Sequence, residues 1–466
     1  MNKIDITKWK DEIIKSTCEL IQIPSVHQES INSNKPFGDE AAKALEYILK
    51  LGKKLGFKTK NIDGYCGYIE FGEGKEILGI IGHLDVVPEG EGWKHKPFAA
   101  EIEDGKIYGR GAIDDKGPVI ASLYAMKAIM DQVNVKKRVR LILGLNEERD
   151  WKCIEYYKKH EEWPKIGFSP DADFPCIYAE KGLLTVYLKQ KYLEKADIII
   201  TNIDCKENAI NVVPKYCKIE LKINSRIINK RELIEYAKQQ IAKNGFDIEI
   251  EENENISIIS HGISSHAAHP ETGKNAISMA FVILNEILQK YEIKIELLEK
   301  FAQLIGIQYY GENLELCKED ESGKLTLNVG NCKLDQNTLE IGMNLRIPIK
   351  TSIDEVENKF QKLVEESQNL ELNFSGRKEP LYIPKDNKLV RILCDTFNEV
   401  TRNNAQPIAI GGATYARAFN NCLSFGANMP GEKDMCHQVD EFISVDNLFV
   451  SCQIYAEAIY KLANLW

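Results

Sequence analysis

The chain is poor in the features that would carry it across a membrane. Its opening residues, MNKIDITKWKDEIIKS, have no apolar central run of the kind a signal peptide needs. No stretch approaches the roughly 18 consecutive apolar residues of a membrane span. A cytoplasmic protein without a membrane partner is expected. Excess positive charge is also missing: 60 Lys and Arg stand against 70 Asp and Glu, for a net charge of -10. That balance argues against a general nucleic-acid binder and leaves small molecules as the expected partners. The 12 cysteines contain no C-x-x-C pair, which counts against zinc ribbons and thioredoxin-like redox chemistry. Scattered along a chain with no secretory signal, they read as reduced, buried thiols. Any metal should then rest on His and carboxylates. No internal repeat or low-complexity tract stands out.

What is present is a soluble globular composition, 44% apolar and 28% charged, over 466 residues. That length exceeds one ordinary core, so two domains are the default. Residues 8 to 22 and 39 to 55 show helical spacing, with Leu45, Ile48, Leu49 and Leu55 near one face. Strands and helices then alternate: EILGIIGHLDVVP is a strand ending at His83, KGPVIASLYAMKAIM a helix, RVRLILGL a strand and WKCIEYYKKHEE a helix. The fold class this implies is α/β, with a mixed, largely parallel sheet flanked by helices and sites outside the carboxyl ends of its strands. From about residue 185 the stretches LLTVYLKQKYLEKADIII and CKIELKINSRI alternate apolar with polar, as half-exposed antiparallel strands do. The expected division is a catalytic domain in two parts, 1–184 and 382–466, around an inserted α+β domain at 185–381. In the last part PIAIGGATYARAFNNCLSFG brings back a buried strand and a glycine turn, and Val445 to Leu462 forms a closing amphipathic helix.

With strand ends located, the metal-capable residues can be collected. Glu147 and Glu148 sit side by side after the strand RLILGL, where neighbouring carboxylates repel unless a cation holds them. Solvated surface is the ordinary reading of such a pair. His83 and Asp85, two apart in GHLDVVP, leave an extended chain on the same face, so one could bind metal while the other orients it. Asp114 and Asp115 stand in the loop GRGAIDDKGP before a helix, where a helix cap is the plainer explanation. Asp171 follows a short strand in SPDADFP, with Asp173 close behind, and turn chemistry accounts for it locally. His437 lies in a polar loop, MCHQVDE, before the last helix. Taken together they would place two His and several carboxylates at the carboxyl ends of strands in one sheet. Five ligands exceed what one zinc needs, and two divalent ions sharing a carboxylate and a water would use them.

The series GHLDVVP, GRGAIDDKGP, NEERDWKC, SPDADFP and MCHQVDE, in this order, resembles the dinuclear zinc peptidase family that includes acetylornithine deacetylase, succinyl-diaminopimelate desuccinylase, aminoacylase and carnosinase. The bacterial V-type dipeptidases look most similar, through GWKHKPF, FSPDADFP and GGATYAR. The resemblance implies His83 and Asp171 on one metal, Glu148 and His437 on the other, and Asp114 bridging them, with a cis peptide after Asp114. It makes Asp85 the partner that fixes the His83 ring. It makes Glu147 the general base that takes a proton from the hydroxide-forming water shared by two metals and returns it to the departing amine. Zinc is the expected ion, with Mn or Co also suited to these donors.

The same resemblance reaches the insertion. Of three histidines in HGISSHAAHPETGKNAI it selects His266 as an oxyanion donor, leaving His261 and His269 on the surface. In EIGMNLRIPI, alternation puts Ile341, Met343, Leu345 and Ile347 on one face and Gly342, Asn344, Arg346 and Pro348 on the other, so Arg346 escapes the core. The resemblance gives Arg346 the substrate's terminal carboxylate and Asn211 a substrate or oxyanion contact. The turn at Gly411 and Gly412 would let backbone approach the substrate. One departure is Arg149 and Asp150 after the glutamates, which could alter substrate choice or pair with each other. The implied protein is a monomeric dipeptidase in which the insertion acts as a lid. The alternatives are an N-acyl amino acid deacylase using the same site and, from another class, an inactive binding protein on a peptidase scaffold. A thiol redox protein has only the cysteine count behind it.

Overall fold

The computed structural model describes residues 4–191, 196–206, 209–224, 227–335, 337–367 and 369–465. Residues 192–195 and 225–226, inside stretches read above as alternating strands, lie outside the described residues. The chain divides into two compact units: residues 1–179, 382–408 and 413–466 form the first, and residues 180–381 with 409–412 the second.

The first unit is built on a mixed sheet whose strands run, in spatial order, Lys58–Ile62, Cys66–Phe71, Arg138–Gly144, Ile77–His83, Ile166–Ser169, Cys422–Ser424 and Ile177–Glu180. Strand Ile77–His83 is parallel to both of its neighbours, Arg138–Gly144 and Ile166–Ser169, and Cys422–Ser424 continues the parallel set. Antiparallel pairing appears toward the edges, between Cys66–Phe71 and its two neighbours. Every residue of Ile77–His83 is buried, as a strand covered on both faces must be, and its apolar run Ile77 to Ile81 meets that demand. The covering helix Lys116–Gln132 is buried over most of its length and packs against the closing helix Val445–Leu465. Gly82 permits the approach of that covering helix: a Cβ there would lie 2.5 Å from Asp115 Oδ2 and 2.7 Å from Val119.

Two stretches differ from the sequence reading. Ile408–Ile410 is a strand, yet it is half-buried because it lies off the main path of the sheet, and the buried strand of that segment is Cys422–Ser424. Asp115 takes the N-cap position of helix Lys116–Gln132, but its side chain makes no cap hydrogen bond. Its Oδ2 instead accepts the backbone N–H of His83 at 3.1 Å.

The second unit contains two antiparallel four-stranded sheets. One orders Thr326–Asp335, Thr338–Ile347, Gly182–Lys191 and Leu370–Lys378; the other orders Ile198–Asp204, Tyr216–Ile223, Ile256–His261 and Ile248–Glu252. Alternating burial along Tyr216–Ile223 follows its alternating sequence. Ile341, Met343, Leu345 and Ile347 enter a common core with helix Ala276–Lys290. Among the described residues no helix is long and apolar enough to cross a membrane.

Candidate metal centre

The first unit brings its chemistry together at strand ends. His83 is the last residue of its strand and stands opposite Gly144, the last residue of the parallel neighbour, from which the turn carrying Glu147 and Glu148 departs. Strand Ile166–Ser169 leads to Asp171. Asp114 ends the loop before helix Lys116–Gln132, and His437 sits in a loop with a left-handed backbone, φ 64°.

The side chains converge within hydrogen-bonding range. His83 Nε2 lies 3.0 Å from Asp114 Oδ1 and 3.6 Å from Asp171 Oδ2. His437 Nε2 lies 3.0 Å from Asp114 Oδ2 and 3.1 Å from Glu148 Oε1. Asp114 therefore turns one carboxylate oxygen toward each histidine. Three sets of donor atoms fall within 4.8 Å of one another: His83, Asp114 and Asp171; Asp114, Glu148 and His437; and His83, Glu147 and Glu148. The Asp114–Asp115 peptide is cis.

The electrostatics of this cluster are those of carboxylates crowded out of water. Burial, reinforced by the charge of Asp114, pushes the carboxyls of Glu148 and Asp171 above their ordinary range. Burial also opposes ionisation of Asp114, but hydrogen bonds from His437 and His83 outweigh it and hold that carboxyl far below its usual range. For the imidazoles the balance is reversed. Burial disfavours their charge, while bonds to Asp114 and Asp171 keep His83 well above its ordinary value, and bonds to Asp114 and Glu148 push His437 up to about 12. The two imidazoles are the hydrogen-bonding partners about which these carboxylates gather. Imidazole nitrogens and carboxylate oxygens, arranged as two sets of three sharing Asp114, fit a pair of divalent cations in the same role.

The neighbouring residues fix these donors. His83 Nδ1 donates to the backbone carbonyl of Asp85 at 2.9 Å, which leaves Nε2 as the nitrogen that faces the carboxylates. The Asp85 carboxylate is farther from that ring, at 3.5 Å. Its closer bonds are to the turn: Oδ1 accepts the Glu147 N–H and Oδ2 the Glu148 N–H, each at 3.1 Å. Asp85 therefore orients the ring through its main chain, and its side chain clasps the two glutamates. The turn is closed further by Trp151, whose indole N–H donates to the Glu147 carbonyl at 2.8 Å.

Two supporting residues were not singled out in the sequence, although both lie in the quoted motifs. Glu441 Oε1 accepts the N–H groups of Ile113 and Asp114 at 3.0 and 3.3 Å, and Oε2 accepts from Arg110 at 2.7 Å. Arg110 also donates to the carbonyls of His437 and Gln438. This buried pair ties the Asp114 loop to the His437 loop. Arg149 and Asp150 do not pair with each other: Asp150 meets Lys152 at 2.5 Å, and Arg149 approaches Glu29 at 3.8 Å.

A family profile described as peptidase family M20/M25/M40 matches residues 79–461. The chain belongs to this family. It is a hydrolytic peptidase by that membership, and its mixed α/β architecture is the M20 fold. YtjP of Bacillus subtilis (strain 168), which carries a provisional dipeptidase name, is 37% identical over 476 residues and 99% of each chain is covered. Among solved structures, the M20 metallo-carboxypeptidase Sso-CP2 of Sulfolobus solfataricus aligns over 97% of this chain and 99% of its own, with TM-score 0.61 and 19% identity. Human carnosine dipeptidase 1 aligns over 98% and 97%, with TM-score 0.61 and 15% identity. At these identities the two structures resemble this M20 chain in fold.

The remaining sequence candidates of this M20 chain lie in its second unit. A bridge between Val212 and His266 sets Asn211 beside Ala267, whose N–H donates to the Asn211 carbonyl at 2.9 Å. His266 is exposed in the unit, as is His269, while His261 is partly covered. Arg346 leaves the apolar core as alternation requires, yet it is only 4% exposed. It is covered because its guanidinium is engaged on its own side of the sheet, with Nε donating to Asn344 Oδ1 and a terminal nitrogen to the Gly411 carbonyl, both at 2.9 Å. A Cβ at Gly411 would lie 2.7 Å from that of Ala268, so glycine allows this turn to pass close to the histidine segment. Gly412 is half-buried beside it.

Proposed function

We propose that this peptidase is a metal-dependent dipeptidase, cleaving dipeptides or short peptides with a free carboxyl end. The observation that carries the reading is the placement of Asp114, with one oxygen 3.0 Å from each of two histidines. In this reading His83 and Asp171 hold one ion, Glu148 and His437 the other, and Asp114 both. Zinc is the proposed ion, with Mn or Co equally compatible with the donors. Bound divalent metal makes water acidic near neutrality and polarises a carbonyl.

The residues of the chain then have separable tasks. Glu147 shares a donor cluster with His83 and Glu148, so its carboxylate is placed to take the proton of an attacking water and to pass it to the amine nitrogen as the C–N bond breaks. Asp85 keeps Glu147 and Glu148 in register through their N–H groups. His266 is assigned the oxyanion, Arg346 the terminal carboxylate of the substrate, and Asn211 and Gly412 further substrate contacts, following the family resemblance of their motifs.

The test is Glu147→Gln, assayed on unblocked and N-acetylated dipeptides with and without chelator. Turnover of the unblocked dipeptide should fall by about 10²- to 10⁴-fold while metal content stays that of the parent. Activity within tenfold of the parent would remove Glu147 from its role. Faster cleavage of the N-acetylated series by the parent would replace the dipeptidase reading with a deacylase. Full activity in excess chelator would end the metal reading.

A further inference from the structure

Three cysteines that no spacing pattern connects meet inside the second unit. Cys205 follows strand Ile198–Asp204, Cys217 lies on Tyr216–Ile223 and Cys332 on Thr326–Asp335. The sulfur of Cys205 is 3.4 Å from that of Cys217 and 3.0 Å from that of Cys332. All three sulfurs fall within 4.8 Å of one another, and all three residues are buried. They are free thiols.

Packing alone does not ask for this arrangement. A buried cysteine serves as a small apolar side chain whichever way its sulfur points. Here two strands, and the residue that follows a third, bring three sulfurs to one place. A disulfide would use two of them and leave the third without purpose. Three thiolates around one ion, at a metal–sulfur distance of about 2.3 Å, would be spaced about 3.8 to 4.0 Å apart. The separations seen are shorter by roughly 0.5 to 1 Å, a gap that small χ1 rotations close.

Access agrees with such a site. Cys332 lines an open cleft of about 780 Å³ together with Asn331, Lys189, Lys206 and Lys333. The cleft offers an ion a way in, and Glu340 on its wall pairs with Lys189 at 2.6 Å and with Lys333 at 3.4 Å.

We propose that Cys205, Cys217 and Cys332 form a three-thiolate site for one soft monovalent cation of the Cu(I) class, assembled from the second unit alone. Sulfur donors select soft ions, and the cluster holds three donors where structural zinc takes four. Binding releases the remaining thiol protons to solvent and leaves the oxidation state of copper and sulfur unchanged.

The test uses the full chain, reduced and saturated with Zn(II), then given buffered Cu(I) without oxygen. About one Cu(I) per chain should remain after desalting, with thiolate-to-copper charge-transfer absorption. Alkylation followed by peptide mapping should find Cys205, Cys217 and Cys332 protected by copper and the exposed Cys317 labelled with or without it, which needs no variant. Cys217→Ala and Cys332→Ala should each lose the copper while keeping dipeptide turnover within about twofold, and Cys317→Ser should keep it. The proposal is overturned if copper protects other cysteines, if Cys317→Ser loses as much copper as the cluster variants, if those variants bind like the parent, or if the cluster takes Zn(II) and not Cu(I).

Discussion

Replacing Asp85 by Asn separates two accounts of how this residue acts. If its carboxylate worked through the His83 ring, the substitution should loosen metal, since partners of metal-binding histidines typically contribute about 10- to 100-fold to affinity. The distances favour the other account. The ring nitrogen is 2.9 Å from the Asp85 carbonyl, which Asn retains, and 3.5 Å from its carboxylate. The carboxylate's two bonds at 3.1 Å go to the N–H groups of Glu147 and Glu148, and Asp85 is 1% exposed. A hydrogen bond to a charged group contributes about 1.5 to 3 kcal/mol. Asp85→Ala would lose two, about 3 to 6 kcal/mol, a large part of the roughly 5 to 15 kcal/mol that holds a domain folded. Asp85→Asn keeps one oxygen and turns an NH₂ group against the other N–H, so about one such bond is lost. Urea denaturation of chelator-treated protein should show that loss of about 1.5 to 3 kcal/mol. Turnover should fall by about 10²-fold, as expected when a reacting group is displaced by an ångström, with bound metal unchanged. Loss of metal with unchanged denaturation would refute the clasp and restore the ring account.

Metal uptake should be linked to pH through the two histidines. Both have folded values above the ordinary 6.5, so in the metal-free protein their contribution to stability is complete below 6.5 and declines as pH rises toward those folded values. Coordination needs the neutral rings, so metal binding should release protons and weaken by up to about two decades per pH unit as pH falls; calorimetry in buffers of different ionisation heat reads the number, and zero protons at pH 7 would contradict it. Glu441→Ala should cost about 3 kcal/mol, the lower end for breaking a buried ion pair, because Arg110 keeps the carbonyls of His437 and Gln438 as acceptors. Thermal unfolding tests this, and a stability equal to the parent would show that the pair does not join the loops. Arg346→Ala should raise KM for dipeptides with a free carboxyl end by about 10- to 150-fold, equivalent to about 1.5 to 3 kcal/mol, and spare carboxyl-amidated analogues; equal losses on both would return Arg346 to a structural role with Asn344 and Gly411.

The first unit was legible where one rule governed a segment. An unbroken apolar run can only be covered on both faces, so Ile77–His83 announced both its burial and the position of His83 at its end. Ile408–Ile410 shows the limit of that rule. Three residues do not reveal whether they lie within a sheet or beside it, and their half-burial follows from pairing off the main strand path. Arg346 shows another. Alternation assigned it to the correct face, but which groups cover that face depends on the Gly411 turn, 65 residues away along the chain.

The candidate site divides along the same line between what a motif contains and what contacts add. Its donors could be collected because each sits in a short segment of unusual polarity at the end of an element. How they are supported could not. Asp85 and His83 are two residues apart, and that spacing suggested that the side chain of one served the ring of the other; the fold brings the Asp85 carbonyl closer to that ring and directs the carboxylate to a turn 62 residues away. Arg110 and Glu441, separated by 331 positions, acquire their meaning only as a pair. The cysteines carry the point furthest. Absence of C-x-x-C excluded local metal motifs, and it could exclude nothing else, because Cys205 and Cys332 are 127 residues apart and meet only when strands of the second unit assemble. A spacing rule reads ligands that share a turn. It is silent on ligands that share a core.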